Sequence, residues 1–414
     1  MKILQVNCVY KKGSTGKIAS DIHTELQKKN IASVVCYGRG EKVREEHVYK
    51  VCGELYSKVN HLISNLTGII YGGCCFSTRK LISVIKKEKP DVVHLQCING
   101  YFVNIYELVE WLKDNHVKTV VTLHAEFMYT GGCGHSIDCS QWSDYEGCGH
   151  IECPRWHTDI GSWFFDRTAT MWKKMKKAFE GFNDNLIVTS VSPWLMERAA
   201  HSPILEGKDH RVVLNGVDSE VFHVYETENL RKKHYLTDEK VIFHATAGFN
   251  LNPDDIKGGY YVNEVAKMFA GANIRFIVAG SCPRDIKVSD NIILLGKITD
   301  QKLLAQYYSM ADLTLLTSRR ETFSMVTAES LCCGTPVVGF KAGGPEQIGI
   351  REYSSFVEYA DMGRLKTAVL GMLYRRHDKY GIGKKAATRY GKGVMCGNYI
   401  KIYRELCEGQ NKNW

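Results

Sequence analysis

Two glutamates eight positions apart are the strongest chemical pattern in the 414-residue chain. Glu321 follows an apolar, strand-like run, and Glu329 falls where the pattern has become helical, within the stretch RRETFSMVTAESLCCGTPVVGF. This spacing lets one carboxylate meet a ligand from a loop while the other meets it from the adjoining helix. Carboxylates in such positions accept hydrogen bonds from neutral hydroxyl groups, such as those of ribose and hexose. Two unrelated solvated glutamates would show the same spacing.

The backbone between these glutamates predicts a site for an anion. A helix that starts near Ser324 places the N–H groups of Phe323, Ser324 and Met325 at its N-terminus. Amides without intrahelical partners and the helix dipole both favour negative charge there. A phosphate next to two carboxylates would be repelled unless the carboxylates bind hydroxyls. The pattern therefore fits a ligand that joins a phosphate to a sugar.

The glycine-rich stretch VYKKGSTGKI at residues 9–18 raises the question of an ATP-binding loop. A Walker A loop would need a glycine at the position of Lys11 and a hydroxyl at the position of Ile18, so this interpretation fails. Gly13 and Gly16 remain in a turn at a helix N-terminus, which predicts a phosphate cradle. A plain strand-to-helix turn is the alternative.

A cysteine-rich insertion at residues 131–157 contains a candidate metal site. Cys133, Cys139, Cys148 and Cys153 have the spacing C-x5-C-x8-C-x4-C. Four thiols so close together indicate a structural zinc site, in which no coordination position would be open for catalysis. Because the spacings are not the usual C-x2-C, disulfides or free thiols stay open as alternatives.

Short β-branched runs alternate with helical patterns along the chain, which is typical of βαβ units in doubly wound parallel sheets. We expect an α/β fold with a Rossmann-like domain at 1–205, a second at 220–390, and a helix at 391–414 that packs back toward the first. In such sheets the ligand lies beyond the carboxyl ends of the strands. Both the 13–16 turn and the Glu321 loop fall at such positions.

Composition and charge narrow the class of protein. The chain is 44% hydrophobic and 24% charged, with a formal net charge of +9. No apolar run reaches the roughly 18–20 residues of a membrane span, and we expect a cytoplasmic protein. Basic clusters at 173–177 and 374–393 indicate contact with the inner face of a membrane. No nucleic-acid motif accompanies them, so we expect no nucleic-acid partner.

Taken together and in order, these segments resemble the retaining glycosyltransferases of family 4, of the bacterial polysaccharide type. The segments are KGSTGKIASDIHTEL, VVTLHAEF, VTSVSPWLMERA, HRVVLNGVDSEVF, IKGGYYVNEVAKMF and the E-x7-E signature at Glu321 and Glu329. The resemblance implies the GT-B fold of two facing Rossmann-like domains. It also implies hexose transfer from a UDP- or GDP-linked donor to a glycan or lipid-linked acceptor, in capsule or exopolysaccharide synthesis. No cofactor would be required for catalysis.

The resemblance also implies roles for individual residues. His124 and Glu321 would act at the reacting sugar, Glu329 would bind the ribose, and Lys257 would neutralise the diphosphate. Further donor contacts would come from Gly13, Gly16, Phe323, Ser324 and Met325. The chain departs from the family in lacking an arginine shortly before Lys257, and in having Ala125 after His124 where aspartate is frequent. A GT-B epimerase or phosphorylase, or an inactive zinc-stabilised binding module, are the alternatives.

Overall fold

The computed structural model describes residues 1–408, which form two units, each built on one parallel sheet. The first unit comprises Met1–Leu214 and residues 395–408, and the second comprises Asn215–Val394. The predicted fold class, an α/β chain with two parallel-sheet domains, is confirmed.

The first unit has a seven-stranded sheet in the order β3-β2-β1-β4-β5-β6-β7, and all of its neighbouring strands run parallel. Its strands are β1 (Lys2–Asn7), β2 (Ala32–Tyr37), β3 (Val48–Lys50), β4 (Val92–Leu95), β5 (Thr119–Leu123), β6 (Leu186–Ser190) and β7 (Asp209–Val212). Its helices are α1 (Gly13–Lys28), α2 (Glu54–Thr67), α3 (Cys75–Glu88), α4 (Ile105–Asp114), α5 (Thr168–Phe179) and α6 (Pro193–His201).

The second unit has a six-stranded parallel sheet in the order β10-β9-β8-β11-β12-β13. Its strands are β8 (Lys240–Gly248), β9 (Ile274–Ser281), β10 (Ile292–Gly296), β11 (Leu313–Leu316), β12 (Val337–Phe340) and β13 (Ser354–Val357). Its helices are α7 (Glu228–Lys233), α8 (Gly259–Met268), α9 (Gln301–Met310), α10 (Met325–Cys332), α11 (Gly344–Ile348), α12 (Met362–Leu373) and α13 (Lys379–Tyr390), and α14 (Lys392–Glu408) follows.

Both sheets reverse their strand order beside their first strand. The reversal falls between β1 and β4 in the first unit and between β8 and β11 in the second. Loops that leave adjacent strands in opposite directions open a crevice at the carboxyl edge, which is the usual ligand site of such sheets. This topology places the loops after β8 and β11 next to each other.

The central strands are buried on both faces, as expected for parallel strands between helix layers. Every residue of β4, β11 and β12 is buried. Helix α1 buries a stripe on one face that includes Ile18, Ile22 and Leu26. Within residues 1–408 no helix combines the length and the apolar content that a membrane span requires.

Helix α14 joins the core of the first unit. Tyr399 and Tyr403 are buried in the same apolar cluster as Ile3. The Tyr403 hydroxyl lies 2.7 Å from Nδ1 of His94, and the Tyr399 hydroxyl lies 3.1 Å from Oγ1 of Thr122. Of the predicted segment 391–414, residues 395–408 belong to the first unit and residues 391–394 to the second; residues 409–414 lie outside the described residues.

The boundaries differ from the predicted ones because of a single strand. The run RVVLNG lies beyond the predicted end of the first domain, but its strand β7 pairs in parallel with β6 of the first sheet. Val213 also lies in the first core, so the first unit extends to Leu214 rather than ending at residue 205. Strands β3 and β13, at sheet edges, were not predicted.

Candidate functional site

A cavity of about 290 Å³ lies at the carboxyl edge of the second sheet. Its walls come from the ends of β8 and β9, the segment after β10, and helices α9 and α10. The lining residues are Ala245, Thr246, Ala247, Ala279, Gly280, Lys297, Ile298, Leu304, Tyr308, Val326 and Glu329. Most of them are small or apolar, so Glu329 and Lys297 supply the charge. The cavity places predicted Glu329 inside a pocket rather than on a solvated face.

Small residues at the strand ends keep this cavity open. A Cβ atom at Gly280 would lie 2.7 Å from Cγ2 and 2.8 Å from the carbonyl oxygen of Thr246. A larger residue would therefore push β9 away from β8 at the rim. Close packing of β8 and β9 therefore explains the glycine at position 280. Its φ is not in the left-handed region.

Tyr308 positions the carboxylate of Glu329. Its hydroxyl lies 3.4 Å from Oε2 of Glu329, which stands in the second turn of α10. Burial raises the pKa of Tyr308 well above its usual value, and the nearby carboxylate adds to this effect. The phenol therefore stays protonated and donates to Glu329, holding the side chain toward the cavity.

The other two predicted charges meet each other. Nζ of Lys257 lies 2.7 Å from Oε1 of Glu321, joining the loop after β8 to the loop after β11. The Lys257 side chain is 38% exposed and the Glu321 side chain 19% exposed. A pair with this much solvent contributes little to stability. Lys257 can therefore leave Glu321 and pair with an incoming anion at a low cost in free energy.

The backbone of Lys257 is fixed against the end of β11. Gly258 has a left-handed φ of 70°, and a Cβ there would lie 2.1 Å from the carbonyl oxygen of Thr317. The Thr317 hydroxyl donates to the Gly258 carbonyl at 2.9 Å, and the Arg319 amide donates to the Ile256 carbonyl at 2.8 Å. These contacts fix the direction in which Lys257 leaves the chain.

Residues 342–346 hold the backbone of Glu321. No role was predicted for this segment. The Glu321 amide donates to the Ala342 carbonyl at 2.9 Å, and the Gly344 amide donates to the Glu321 carbonyl at 2.8 Å. Glu346 accepts from the Gly343 amide at 2.9 Å. A Cβ at Gly344 would lie 2.5 Å from the Thr322 carbonyl oxygen. The sequence AGGPE at these positions could have indicated the support, because its glycines allow the backbone to approach Glu321 closely.

Helix α10 begins at Met325, and Ser324 is its N-cap. The Ser324 hydroxyl accepts from the Thr327 amide at 3.2 Å, which leaves the preceding first-turn amides at the helix start as candidate anion donors. Ser324 has a φ of 77°, a left-handed value that costs a non-glycine residue about 1–3 kcal/mol. Phe323 is buried and anchors this turn. Phosphate binding here stays a prediction.

In the first unit, Gly13 and Gly16 lie at the start of a helix, in the region predicted for them. Helix α1 begins at Gly13, which has a φ of 67°. Gly16 lies inside the first helical turn instead of in the preceding loop. A Cβ there would lie 3.0 Å from Cγ2 of Val9, so close packing on that loop explains the residue. Donor contact by either glycine stays a prediction.

His124 directly follows β5 and is partly exposed. Burial lowers its pKa to about 4, so the ring is neutral at pH 7. Burial lowers the pKa of neighbouring His94 further, to about 3, and His124 contributes to that shift. A neutral His124 can hydrogen-bond a hydroxyl but cannot supply a positive charge. Its predicted catalytic role stays a prediction.

Glu126, two residues further on, anchors the cysteine-rich loop. It is completely buried, and its Oε1 lies 2.6 Å from Nε of Arg198 and accepts from the Tyr129 hydroxyl at 2.8 Å. The Ser136 amide donates to Oε2 at 2.5 Å. Burial acts to raise the pKa of Glu126, but Arg198 and these donors outweigh it and lower the pKa. This network is structural.

The four predicted zinc ligands do not converge as a metal site. The interaction between the Cys133 and Cys153 thiols raises the pKa of Cys133 and lowers the pKa of Cys153 to about 7. All four cysteines, including Cys139 and Cys148, are free. Within residues 1–408, no group of three or more His, Cys, Asp or Glu side chains has an arrangement that could hold a metal ion. Zinc binding stays a prediction that this geometry does not support.

Residues 249–374, which contain Lys257, Glu321 and Glu329, match the family model described as Glycosyl transferases group 1. The matched residues lie wholly within the second unit. The match begins just after β8 and ends just after α12, so it covers the Lys257–Glu321 pair, the segment 342–346 and the cavity-lining residues from Ala279 onward. The lining residues Ala245, Thr246 and Ala247 lie before it.

Similar proteins match this chain beyond residues 249–374. The chain is 25% identical over 242 residues to N-acetyl-alpha-D-glucosaminyl L-malate synthase of Bacillus anthracis, covering 55% of this chain and 61% of that protein. It is 21% identical over 436 residues to an Escherichia coli (strain K12) protein named as a colanic acid biosynthesis glycosyl transferase, WcaC, covering 98% and 100%. The crystal structure of Anabaena HepE with UDP and glucose matches with a TM-score of 0.64 and 15% identity, covering 98% and 100%. The structural match shows the GT-B fold.

Proposed function

We propose that the protein transfers a hexose from a UDP- or GDP-linked donor to a glycan or lipid-linked glycan acceptor, with retention of anomeric configuration. One observation carries this proposal. The Glu329 cavity and the Lys257–Glu321 pair lie at the carboxyl edge of one sheet, and all three charged residues fall within the segment that matches the group 1 family model. The UDP in the Anabaena HepE structure supports a nucleotide-sugar donor.

In this scheme Glu329 receives the ribose hydroxyls of the donor. Tyr308 already directs its carboxylate, while Leu304 and Val326 supply apolar walls for the nucleoside. The cavity is near the lower end of the roughly 300–1,000 Å³ range of small-molecule sites. Its size and mixed lining suit a nucleoside better than a long glycan.

Lys257 takes the diphosphate. When the sugar leaves, negative charge develops on the phosphate while the ring becomes oxocarbenium-like. A fixed ammonium group and first-turn amides of α10 stabilise that charge, and fixed donors of this kind are among the largest catalytic contributions. Glu321 loses its ion pair with Lys257 and accepts from the sugar hydroxyls. No divalent metal is needed for this step, and the acceptor attacks from the face that the phosphate leaves.

The acceptor is proposed from the relatives and from the first unit. The name of the Escherichia coli relative supports a role in surface polysaccharide synthesis, such as capsule or exopolysaccharide. His124, neutral at pH 7 because burial lowers its pKa to about 4, hydrogen-bonds a sugar hydroxyl in this scheme. The work would take place in the cytoplasm at the inner face of the membrane.

A donor screen tests the proposal. Purified protein is heated with UDP-, GDP- and ADP-sugars, and a bound donor at 100 times its Kd adds about 2.7 kcal/mol to stability. The matching donor is then incubated with glycan acceptors, and release of nucleoside diphosphate is measured. Isomerised donor without acceptor would indicate an epimerase, and dependence on inorganic phosphate a phosphorylase. If no donor binds, the proposal is wrong.

A further inference from the structure

Helix α2 packs on the first unit with its polar side. The residues that it buries are Ser57, Asn60 and Ser64, at helical spacing. The Ser57 hydroxyl donates to the Gly100 carbonyl at 3.1 Å, and Oδ1 of Asn60 accepts from the Cys74 amide at 2.8 Å. The docking of α2 therefore depends on hydrogen bonds and small side chains.

The apolar side of α2 faces outward. This apolar face consists of Leu55, Val59, Leu62, Ile63 and Leu66, all exposed, with Leu55 at 77%. Their spacing, i, i+4, i+7, i+8 and i+11, forms one continuous stripe along the helix. In a helix of a water-soluble protein this stripe normally packs against the core. The reversed orientation of α2 indicates that the apolar face is covered by something outside the described chain.

Aromatic side chains continue the apolar face at both ends. At the C-terminal end of α2, the Trp163 amide donates to the Asn65 carbonyl at 2.8 Å, which places the exposed residues Trp163, Phe164 and Phe165 there. We call these three residues the aromatic tip. Near the other end, the Phe76 ring is 74% exposed and lies 6.1 Å from the Tyr56 ring. Exposed aromatic groups of this kind anchor proteins at the headgroup level of bilayers.

The surroundings of this surface are basic. Segments 54–80 and 161–177, which hold α2, Phe76, the aromatic tip and most of α5, contain eight Lys or Arg residues and two acidic residues. Both acidic side chains are engaged within the protein. Glu54 accepts from the Gly40 amide at 2.7 Å, and Asp166 accepts from the Cys153 and Thr168 amides at 2.9 Å each. These segments therefore carry a formal net charge of +6, eight basic minus two acidic residues.

This charge decides between the candidate occupants. A second copy of the chain would bring the same basic residues against themselves, which is unfavourable in a symmetric interface. An anionic lipid surface attracts Lys and Arg and accepts apolar and aromatic side chains just below the headgroups. We propose that the apolar face of α2 and the aromatic tip insert into the interfacial layer of a membrane that contains anionic lipids.

Vesicle flotation with the full chain tests this docking. The probes are phosphatidylcholine vesicles with and without phosphatidylglycerol. We expect binding to the anionic vesicles. Partition to the neutral vesicles should be at least about tenfold weaker, because they do not attract the basic residues electrostatically. The double variant Leu62→Glu, Phe164→Glu should lose at least about tenfold in partition to anionic vesicles. The matched control is Tyr235→Glu, at an exposed aromatic residue of the second unit, which should bind as the wild type does.

Each other outcome overturns the proposal. Both positions of the double variant are exposed, so its melting temperature should equal that of the wild type, and sedimentation equilibrium without lipid should give equal masses. A wild-type protein that ignores anionic vesicles, or a variant that still binds them, contradicts the docking. A wild-type dimer that the variant converts to monomer would identify a second copy as the occupant. Donor binding is not measured here, so failure would bear on the proposed membrane location and leave the proposed transfer reaction untouched.

Discussion

Two ion pairs of the same chemistry behave differently because of where they lie. Lys257–Glu321 joins two loops at the edge of the second sheet and is partly exposed. Arg198–Glu126 lies under the cysteine-rich loop of the first unit, where Glu126 is 0% exposed and Arg198 21%. The exposed pair is cheap to open and is available to a ligand. In the second pair no water can replace Arg198 at the fully buried Glu126 carboxylate, so the pair holds structure and is unsuited to exchange.

The largest expected effect is on stability, at the buried pair. Arg198→Ala leaves the Glu126 carboxylate buried without its cation and should cost about 3–5 kcal/mol of unfolding free energy in urea titrations. The matched control is Arg364→Ala, which removes an exposed pair with Asp361 and should cost less than about 1 kcal/mol. Equal losses would contradict the comparison. The double change Glu126→Gln, Arg198→Met should recover part of the loss.

The next effect is on transfer at the exposed pair. Lys257→Ala should lower the transfer rate by about 10²–10³-fold, the scale measured for loss of one fixed donor to a developing charge. Its unfolding free energy should change by less than about 1 kcal/mol, because the pair is solvated. Lys385→Ala removes another 2.7 Å pair of the second unit, with Glu352, and should leave transfer unchanged. A large loss of stability with normal transfer would reverse the assignment.

Backbone placement of Lys257 gives a smaller effect. Gly258→Ala combines a left-handed φ with a clash against the Thr317 carbonyl. Gly271→Ala has a φ of 79° but no atom within 4 Å of the new Cβ, so it measures the conformational cost alone, about 1–2 kcal/mol. Thermal unfolding should show the Gly258 variant as the less stable one, with weaker donor binding only there. Identical behaviour of the two variants would mean that the clash is relieved freely.

A separate effect is a dependence of the unfolding free energy on pH. Burial lowers the pKa of His94 to about 3 and of His124 and His244 to about 4. Below pH 6.5 the unfolded chain binds protons that the folded chain refuses, so stability falls by up to about 1.4 kcal/mol per histidine and pH unit, down to the folded pKa. The lowered pKa of Glu126 affects the unfolding free energy only at lower pH, where the carboxylate becomes protonated in the unfolded chain before it does in the folded one.

Urea titrations at pH 7.5, 6 and 5 measure this slope. His94→Gln should flatten it, because the neutral amide has no proton to gain in the unfolded state. His116→Gln changes an exposed histidine and should leave the slope as it is. A wild-type stability that rises from pH 7.5 to pH 5 would contradict the buried, neutral histidines.

The sequence predicted the fold class because parallel strands leave a strong pattern. The apolar runs of β4 and β5 and the stripe of α1 are visible without any tertiary contact. Strands β3 and β13 are three or four residues long at sheet edges, so their pattern is too short to read. The place of β7 in the first sheet depends on pairing with β6, which no local pattern shows.

In the candidate site, too, the sequence predicted some features and not others. Glu321, Glu329 and Lys257 were found from spacing and resemblance, and the structure places all three at one sheet edge. The Lys257–Glu321 contact spans 64 positions, and that of Glu126 with Arg198 spans 72, distances at which sequence gives no partner. The outward face of α2 was missed because an amphipathic pattern tells that one side is apolar, without telling which side faces the protein.

A crystal structure with a bound nucleotide sugar, or with the nucleoside diphosphate product, tests the central claim most directly. The account predicts the ribose within hydrogen-bond distance of the Glu329 carboxylate. It predicts the diphosphate beside Nζ of Lys257, with the Lys257–Glu321 contact opened. A nucleotide bound elsewhere while that contact remains closed would contradict it.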